Sequence, residues 1–304
     1  MNTAASYSLA PLTTLLASGI LLLVPHESPA QTTLYAGIGR GAPDKGAVIT
    51  INQTTGLGTP LGTGATDPSV GINGLAFDGS GGLFASTIDA PLFDVPQGVG
   101  ALITIDPVTG EQLAFIGDIT LDGVPLAITD LAVQPNTDVL FGMSIDLTTG
   151  EGSLYAIDKN TGVATLVGGT GVIAVTVAFG PDGTLYATSA IFDDNGFVEG
   201  VLHTLDPATG AVLTTDGPFL VHIGGLAVRP TDGVIFASGG MAGDIYTLSA
   251  TGVLTPVGVN GLGGVGDMAF IPPPTDKNQC QSGGWTKFGF RNQGQCIQFV
   301  NTGK

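Results

Sequence analysis

Cysteine and tryptophan are almost missing from this 304-residue chain. Its two Cys and single Trp all lie within the last 25 residues, as Cys280, Trp285 and Cys296. Everything before them has to hold together without a disulfide, and no Trp ring is available there to dock a quinone cofactor. Positive charge is scarce too: eight Lys and Arg stand against 25 Asp and Glu, for a net charge of −17. An acidic body of that kind repels nucleic acid and anionic membrane surfaces and attracts cations, so a nucleic-acid partner is excluded. Histidine is limited to three residues, and charged residues make up only 11% of the chain. No GxSxG elbow, HExxH pair, P-loop or dinucleotide fingerprint occurs, which removes the commonest hydrolase and nucleotide-binding signatures.

Long hydrophobic runs are also lacking. The longest is the ten-residue stretch Leu15 to Val24 near the N-terminus, too short to span a bilayer core of roughly 30 Å. It is followed by Ser28-Pro29-Ala30, small residues at the two positions that a signal peptidase reads. Residues 1–30 are therefore expected to be a signal peptide cut after Ala30, although the stretch ahead of the run has no Lys or Arg. The mature chain, with no transmembrane segment, is expected to be secreted or periplasmic and monomeric.

What the chain has in abundance is glycine (49) and proline (19), with Val, Ile, Leu and Thr filling the gaps between them. That mixture points to many short strands joined by tight turns. One pattern recurs five times at intervals of about fifty residues. It begins with aliphatic–Ala–(Phe/Val): LAF at 75–77, LAV at 131–133, VAF at 177–179, LAV at 226–228 and MAF at 268–270. The invariant middle alanine suggests a crowded place where strands converge, such as the axis of a ring. Turns rich in Gly, Pro, Asp and Asn follow (DGSGG, QPNTD, GPDG, RPTDG), then LFA, LFG, LYA and IFA. A third strand ends in a Thr-Gly turn at Gly56, Gly110, Gly162, Gly210 and Gly252. Asp106, Asp158 and Asp206 precede three of these turns, where Asx chemistry rather than catalysis accounts for them. A fourth, less regular strand includes LGTPLG, which its proline marks as an edge.

Four antiparallel strands per repeat make the blade of a β-propeller. The last repeat, Met268 to Phe270, runs into Pro272-Pro273-Pro274 with no LYA partner after it. The missing partner stands near the N-terminus as Leu34-Tyr35-Ala36. An N-terminal strand therefore closes the last blade, and the fold is expected to be all-β: a five-bladed propeller over residues 31–274. A β-sandwich, the competing architecture, does not require that permuted remainder.

These residues resemble bacterial propellers of the YVTN and quinoprotein-like type, with repeats of the form GLAFxPDGxLYA…IDPxTG, across about residues 32–272. The resemblance implies the fold and little about activity, since such relatives include both enzymes and binding modules.

Candidate site residues follow from the ring. The residue before each inner strand is Gly74, Asp130, Thr176, Gly225 or Asp267, so Asp130 and Asp267 share a register at the channel mouth, with Asn73 and His222 nearby. Carboxylates and an amide oxygen around a channel would suit Ca²⁺ or Mg²⁺. Alternatively, each Asp hydrogen-bonds backbone N–H groups at a strand start. On the same rim, the loops 87–100 and 190–200 carry Phe93, Phe192 and Phe197 among Asp94, Asp193, Asp194 and Glu199. Together with His222 they form a candidate surface for a glycan, peptide or protein, or else pack their own rings inward. DDNG at 193–196 lacks EF-hand spacing. His203 sits in the column occupied elsewhere by Ile103 and Tyr155 and is expected to be blade packing. The leading expectation is a non-catalytic binding or scaffold module; the alternative is a metal-dependent lactonase-like hydrolase or lyase.

From residue 275 the composition turns basic and Gln/Asn-rich. Residues 1–274 carry a net −20, residues 275–304 a net +3. Cys280 and Cys296 are expected to close a 17-residue loop by a disulfide, constraining the unfolded chain by about 3 kcal/mol. The pattern C-x2-GGW-x2-FGF-x-NQG-x-C resembles a short module at the C-termini of many secreted bacterial proteins. That resemblance implies no activity.

Overall fold

A computed structural model of the chain describes residues 33–65, 70–88, 100–146, 149–193, 196–240 and 242–303. The candidates Phe93, Asp94 and Asp194, and the expected signal segment, lie outside the described residues. Five antiparallel blades form a ring. The first holds β1 (Leu34–Ile38), β2 (Ala47–Ile51) and β3 (Gly58–Ala65). The second runs from β4 (Gly71–Phe77) through β5 (Leu83–Ile88) and β6 (Gly100–Ile105) to β7 (Gln112–Asp118). Two short strands, β8 (Thr120–Leu121) and β9 (Val124–Pro125), interrupt the path to the third blade. That blade comprises β10 (Asp130–Val133), β11 (Leu140–Ile145), β12 (Gly152–Ile157) and β13 (Val163–Gly169). The fourth is β14 (Ala174–Phe179), β15 (Leu185–Asp193), β16 (Gly196–Leu205) and β17 (Val212–Phe219). The fifth is β18 (Ile223–Val228), β19 (Ile235–Gly239), β20 (Asp244–Leu248) and β21 (Leu254–Val259).

The last strand, β22 (Val265–Phe270), returns to the first blade and gives it the order β22-β1-β2-β3. Its register sets Leu34 opposite Phe270, Tyr35 opposite Ala269 and Ala36 opposite Met268. The N-terminal strand thus closes the ring, and β3, with its proline, is the outer edge of that blade. Two features go beyond the repeat pattern. The connection after β7 adds β8 in parallel to the outer edge of β13, making a six-stranded sheet. The segment 190–200, expected as a loop, is a hairpin in which β15 and β16 run on past the blade, with Ile191 opposite Glu199 and Phe192 opposite Phe197. Its β-branched and aromatic side chains keep pairing where the other blades turn.

Five apolar clusters fill the five joints between neighbouring blades. The repeated alanines, Ala76, Ala132, Ala178, Ala227 and Ala269, are all buried, each in the joint with the following blade. The wedge between blades is narrowest near the axis, so only a methyl group fits. Farther out, the Thr-Gly turn of each blade abuts a glycine on the outer strand of the blade before it. A Cβ at Gly62, Gly117, Gly168 or Gly258 would collide with the carbonyl oxygen of Thr109, Thr161, Thr209 or Thr55, and Gly252 lies against Gly217. The turn glycines adopt φ between +73° and +78°, a region closed to most L residues. Asp106, Asp158 and Asp206 accept the N–H two residues on at 2.8–2.9 Å, as Asx turns do.

The C-terminal segment forms two 3-10 turns (Lys277–Cys280 and Gly284–Thr286) and α1 (Gln293–Thr302), linked by the Cys280–Cys296 disulfide. It does not hang free. Phe288, Phe290 and Phe299 enter the same cluster as Tyr35 and Phe77 at the joint of the first and second blades. The Phe288 ring lies over Gly81, whose φ of +77° turns the chain between β4 and β5. The contact is mainly apolar, with one hydrogen bond donated by Gln279 Nε2 to the Gly79 carbonyl oxygen. Among the described residues no ion pair joins the basic side chains of this segment to the acidic propeller.

Two outcomes test this packing. Gly168→Ala is expected to lower stability by about 3 kcal/mol, because backbone must move in the joint, whereas Gly183→Ala meets nothing and costs only about 1–2 kcal/mol for its positive φ; urea unfolding of the two variants distinguishes them. Phe288→Ala should cost about 3–5 kcal/mol if the segment is part of the core, and leave the propeller's transition unmoved if it is not.

Candidate functional site

The inner strands all start on one rim, called the upper rim below. Gly74, Asp130, Thr176, Gly225 and Asp267 form a ring there. Space forbids five side chains: a Cβ on Gly225 would meet the backbone of Asp267, and one on Gly74 the backbone of Leu131. The two carboxylates that do fit are fully buried. Asp267 accepts the N–H of Met268 at 2.6 Å and, from the second blade, that of Leu75 at 2.6 Å. Asp130 accepts the N–H of Leu131 at 2.7 Å and, from the fourth blade, that of Val177 at 2.9 Å. Each aspartate therefore clasps its own blade to the next one through inner-edge N–H groups that no strand pairs.

The two carboxyl groups also hydrogen-bond to each other across the axis. Burial, then the neighbouring Asp267 charge, pushes Asp130 well above the usual carboxylate range. Burial raises Asp267 to about 7. Like charges this close cannot both ionise in a dry site, so the pair retains a proton through much of the neutral range. Asn73 is buried nearby on β4. Among the described residues no three His, Cys, Asp or Glu side chains come together as a metal-ligand set.

Higher on the same rim, the hairpin of the fourth blade brings three candidates together. The Phe192 and Phe197 rings stand edge to face at 5.9 Å, and His222, from the connection into the fifth blade, lies 6.0 Å from one and 5.7 Å from the other. Burial among these rings lowers the His222 pKa, so the imidazole is neutral at neutral pH. Phe192 remains 51% exposed, and Ile191 and Val198 of the same hairpin, as well as Leu220, also face solvent. Asp193 and Glu199 lie on the same hairpin. His203, by contrast, is buried inside the fourth blade, its ring nitrogens against Ser189 Oγ at 2.8 Å and Thr215 Oγ1 at 3.0 Å. It is blade packing. The exposed Leu220 was not signalled by any motif; it stands in an irregular connection, directly after Phe219, which pairs with Gly200 at the base of the hairpin.

No protein-family model matches the chain, and no curated protein matches it in sequence. Solved structures do. A chain of a nidogen/laminin complex matches with a TM-score of 0.51 at 12% identity, over 79% of this chain and 99% of that one. A protein of unknown function from Bacteroides caccae aligns at 12% identity and a TM-score of 0.42, over 78% of this chain and 98% of its own. A Bacteroides uniformis protein described as a putative 6-phosphogluconolactonase aligns at 15% identity and a TM-score of 0.39, over 74% and 81%. Its five sheets and closing strand make the chain a β-propeller, and likeness at these identities concerns the fold alone.

The aspartate pair makes stability depend on pH. The unfolded chain loses its Asp protons near pH 4, whereas folded Asp267 holds its own to about 7. Between those values the folded state binds more protons, so stability is greatest at the acidic end and declines as pH rises, by up to about 1.4 kcal/mol per pH unit for one proton. Denaturant unfolding from pH 4.5 to 8 should show this slope in the wild type and a smaller one in Asp267→Asn; equal slopes would contradict a shared proton.

Proposed function

We propose that this chain is a non-catalytic binding or scaffold module that engages a ligand outside the cell through the acidic, aromatic-bearing upper rim. The Phe192–Phe197–His222 cluster carries this reading. It holds a half-exposed ring on a hairpin that projects beyond its blade, with apolar neighbours and two carboxylates around it. Rings bring large contact area at small entropy cost, and a neutral imidazole adds a directional hydrogen-bonding group. A glycan, a peptide or a protein surface offers matching apolar faces and donors. Secretion or periplasmic residence agrees with the disulfide, with the acidic charge and with the absence, among the described residues, of a helix able to cross a membrane.

The test is a screen of the labelled protein on glycan and peptide arrays. Signals that fall at least tenfold in Phe192→Ala/Phe197→Ala, with unfolding little changed, would support the rim as the binding surface. Identical profiles would refute it. Elemental analysis separates the other class: a stoichiometric divalent cation lost in Asp130→Asn would favour a metal-dependent hydrolase or lyase.

A further inference from the structure

The lower rim, opposite the proposed binding surface, repeats one joint five times. The aromatic residue at the second position of each blade's second strand meets the last residue of the next blade's inner strand. In three joints this is a ring on a ring: Tyr35 with Phe77 at 5.0 Å, Phe141 with Phe179 at 5.6 Å and Phe236 with Phe270 at 5.6 Å. In the other two the second partner is valine. Phe84 is followed by Val133, and Tyr186 by Val228.

The two valine joints differ in what completes them. Between the second and third blades, Lys159 lays its ammonium 5.8 Å from the centre of the Phe84 ring. Two carboxylates hold it there: Asp138, hydrogen-bonded to it, and Asp78 at 3.7 Å. These come from the turns between the first and second strands of the two blades. The joint between the fourth and fifth blades has similar parts in a shifted register. Tyr186 stands for Phe84, and each of the two turns again carries an aspartate: Asp182 in GPDG, two positions beyond that of Asp78, and Asp232 in RPTDG, one position before that of Asp138. The lysine has no counterpart, because DKNTG (158–162) is replaced in the fifth blade by the shorter SATG (249–252). An open cavity of about 310 Å³ lies at this joint, with Tyr186, Val228, Pro181, Thr231, Asp182 and Asp232 in its lining.

We propose that this cavity binds a primary alkylammonium group supplied by a ligand, in the place that Lys159 takes two joints away. An ammonium over an aromatic face beside a carboxylate is favourable in both settings. The carboxylates are not equal. Asp232 is chelated by Arg229 at 2.8 and 2.7 Å, and that guanidinium lies over Phe236 in the neighbouring joint. Asp182, fixed by the N–H and hydroxyl of Thr184 at 3.0 Å, supplies the uncompensated charge. The overall negative charge draws cations to the surface. A lysine side chain and a polyamine share this chemistry.

Nuclear magnetic resonance titration of the full chain, followed at the Val228 methyl groups, tests the proposal with three probes: Nα-acetyl-lysine methylamide, spermidine and N-acetyl-phenylalanine amide. Saturable shifts with either amine and none with the phenylalanine amide are expected, and the stronger amine identifies the source. Val228→Phe should abolish the shifts, followed in that variant at neighbouring resonances; Phe77, Phe179 and Phe270 show that the backbone accepts a ring there. Asp182→Asn, an exposed substitution, should weaken binding about tenfold. No binding of either amine, binding of the phenylalanine amide instead, or unchanged affinity in Asp182→Asn would each overturn the proposal.

Discussion

The pairing of β1 with β22 is the contact on which the rest of this protein depends. It joins strands separated by more than 200 residues and turns an open array of blades, with a bare edge at each end, into a ring. Closing a loop that long is entropically costly, but the cost grows only slowly with length, and one closure serves all five joints. Tyr35 reaches Phe77, Gly258 meets Thr55 and Asp267 reaches Leu75 only because β1 and β22 complete the first blade. The C-terminal segment then packs over the joint that this strand completes.

Close approach at the axis imposes the second constraint. Inner strands present N–H groups that no further strand can pair, and the central space is too small for a full set of side chains. Glycine at two of the five positions and aspartate at two others meet both demands, since each carboxylate takes N–H groups from two blades at once. Burying two such groups within reach of each other forces one proton to stay, which ties the centre of the ring to pH. The structural role of these hydrogen bonds is complete without any further ligand.

Internal repetition makes the chain its own comparison. Positions that recur five times with one chemistry, such as the alanines and the Thr-Gly turns, belong to the architecture. Departures from the repeat carry information of another kind. The extended hairpin of the fourth blade, the lysine of the third and the open joint between the fourth and fifth are each a single variation on a fivefold rule. Two of the three lie around the fourth blade, one on each rim, so that blade differs most from its siblings in what it shows to solvent.

The sequence by itself determined the blade count, the closing strand, the disulfide and the packing role of His203, because those follow from patterns repeated locally or from a missing member of a set. It also singled out Phe192, Phe197, His222, Asp130 and Asp267. What tertiary structure alone decided was how they meet. The register of the two aspartates was legible, but their burial, their hold on adjacent blades and their contact with one another depend on how narrowly five blades converge. The mainly apolar docking of the basic C-terminal segment was equally hidden, since charge suggests an ionic contact while the phenylalanines that make it carry no periodic signal. Exposure of Leu220 and the cavity beside Tyr186 arise between consecutive blades, where side-chain volume in one repeat is judged against a residue about forty to fifty positions away.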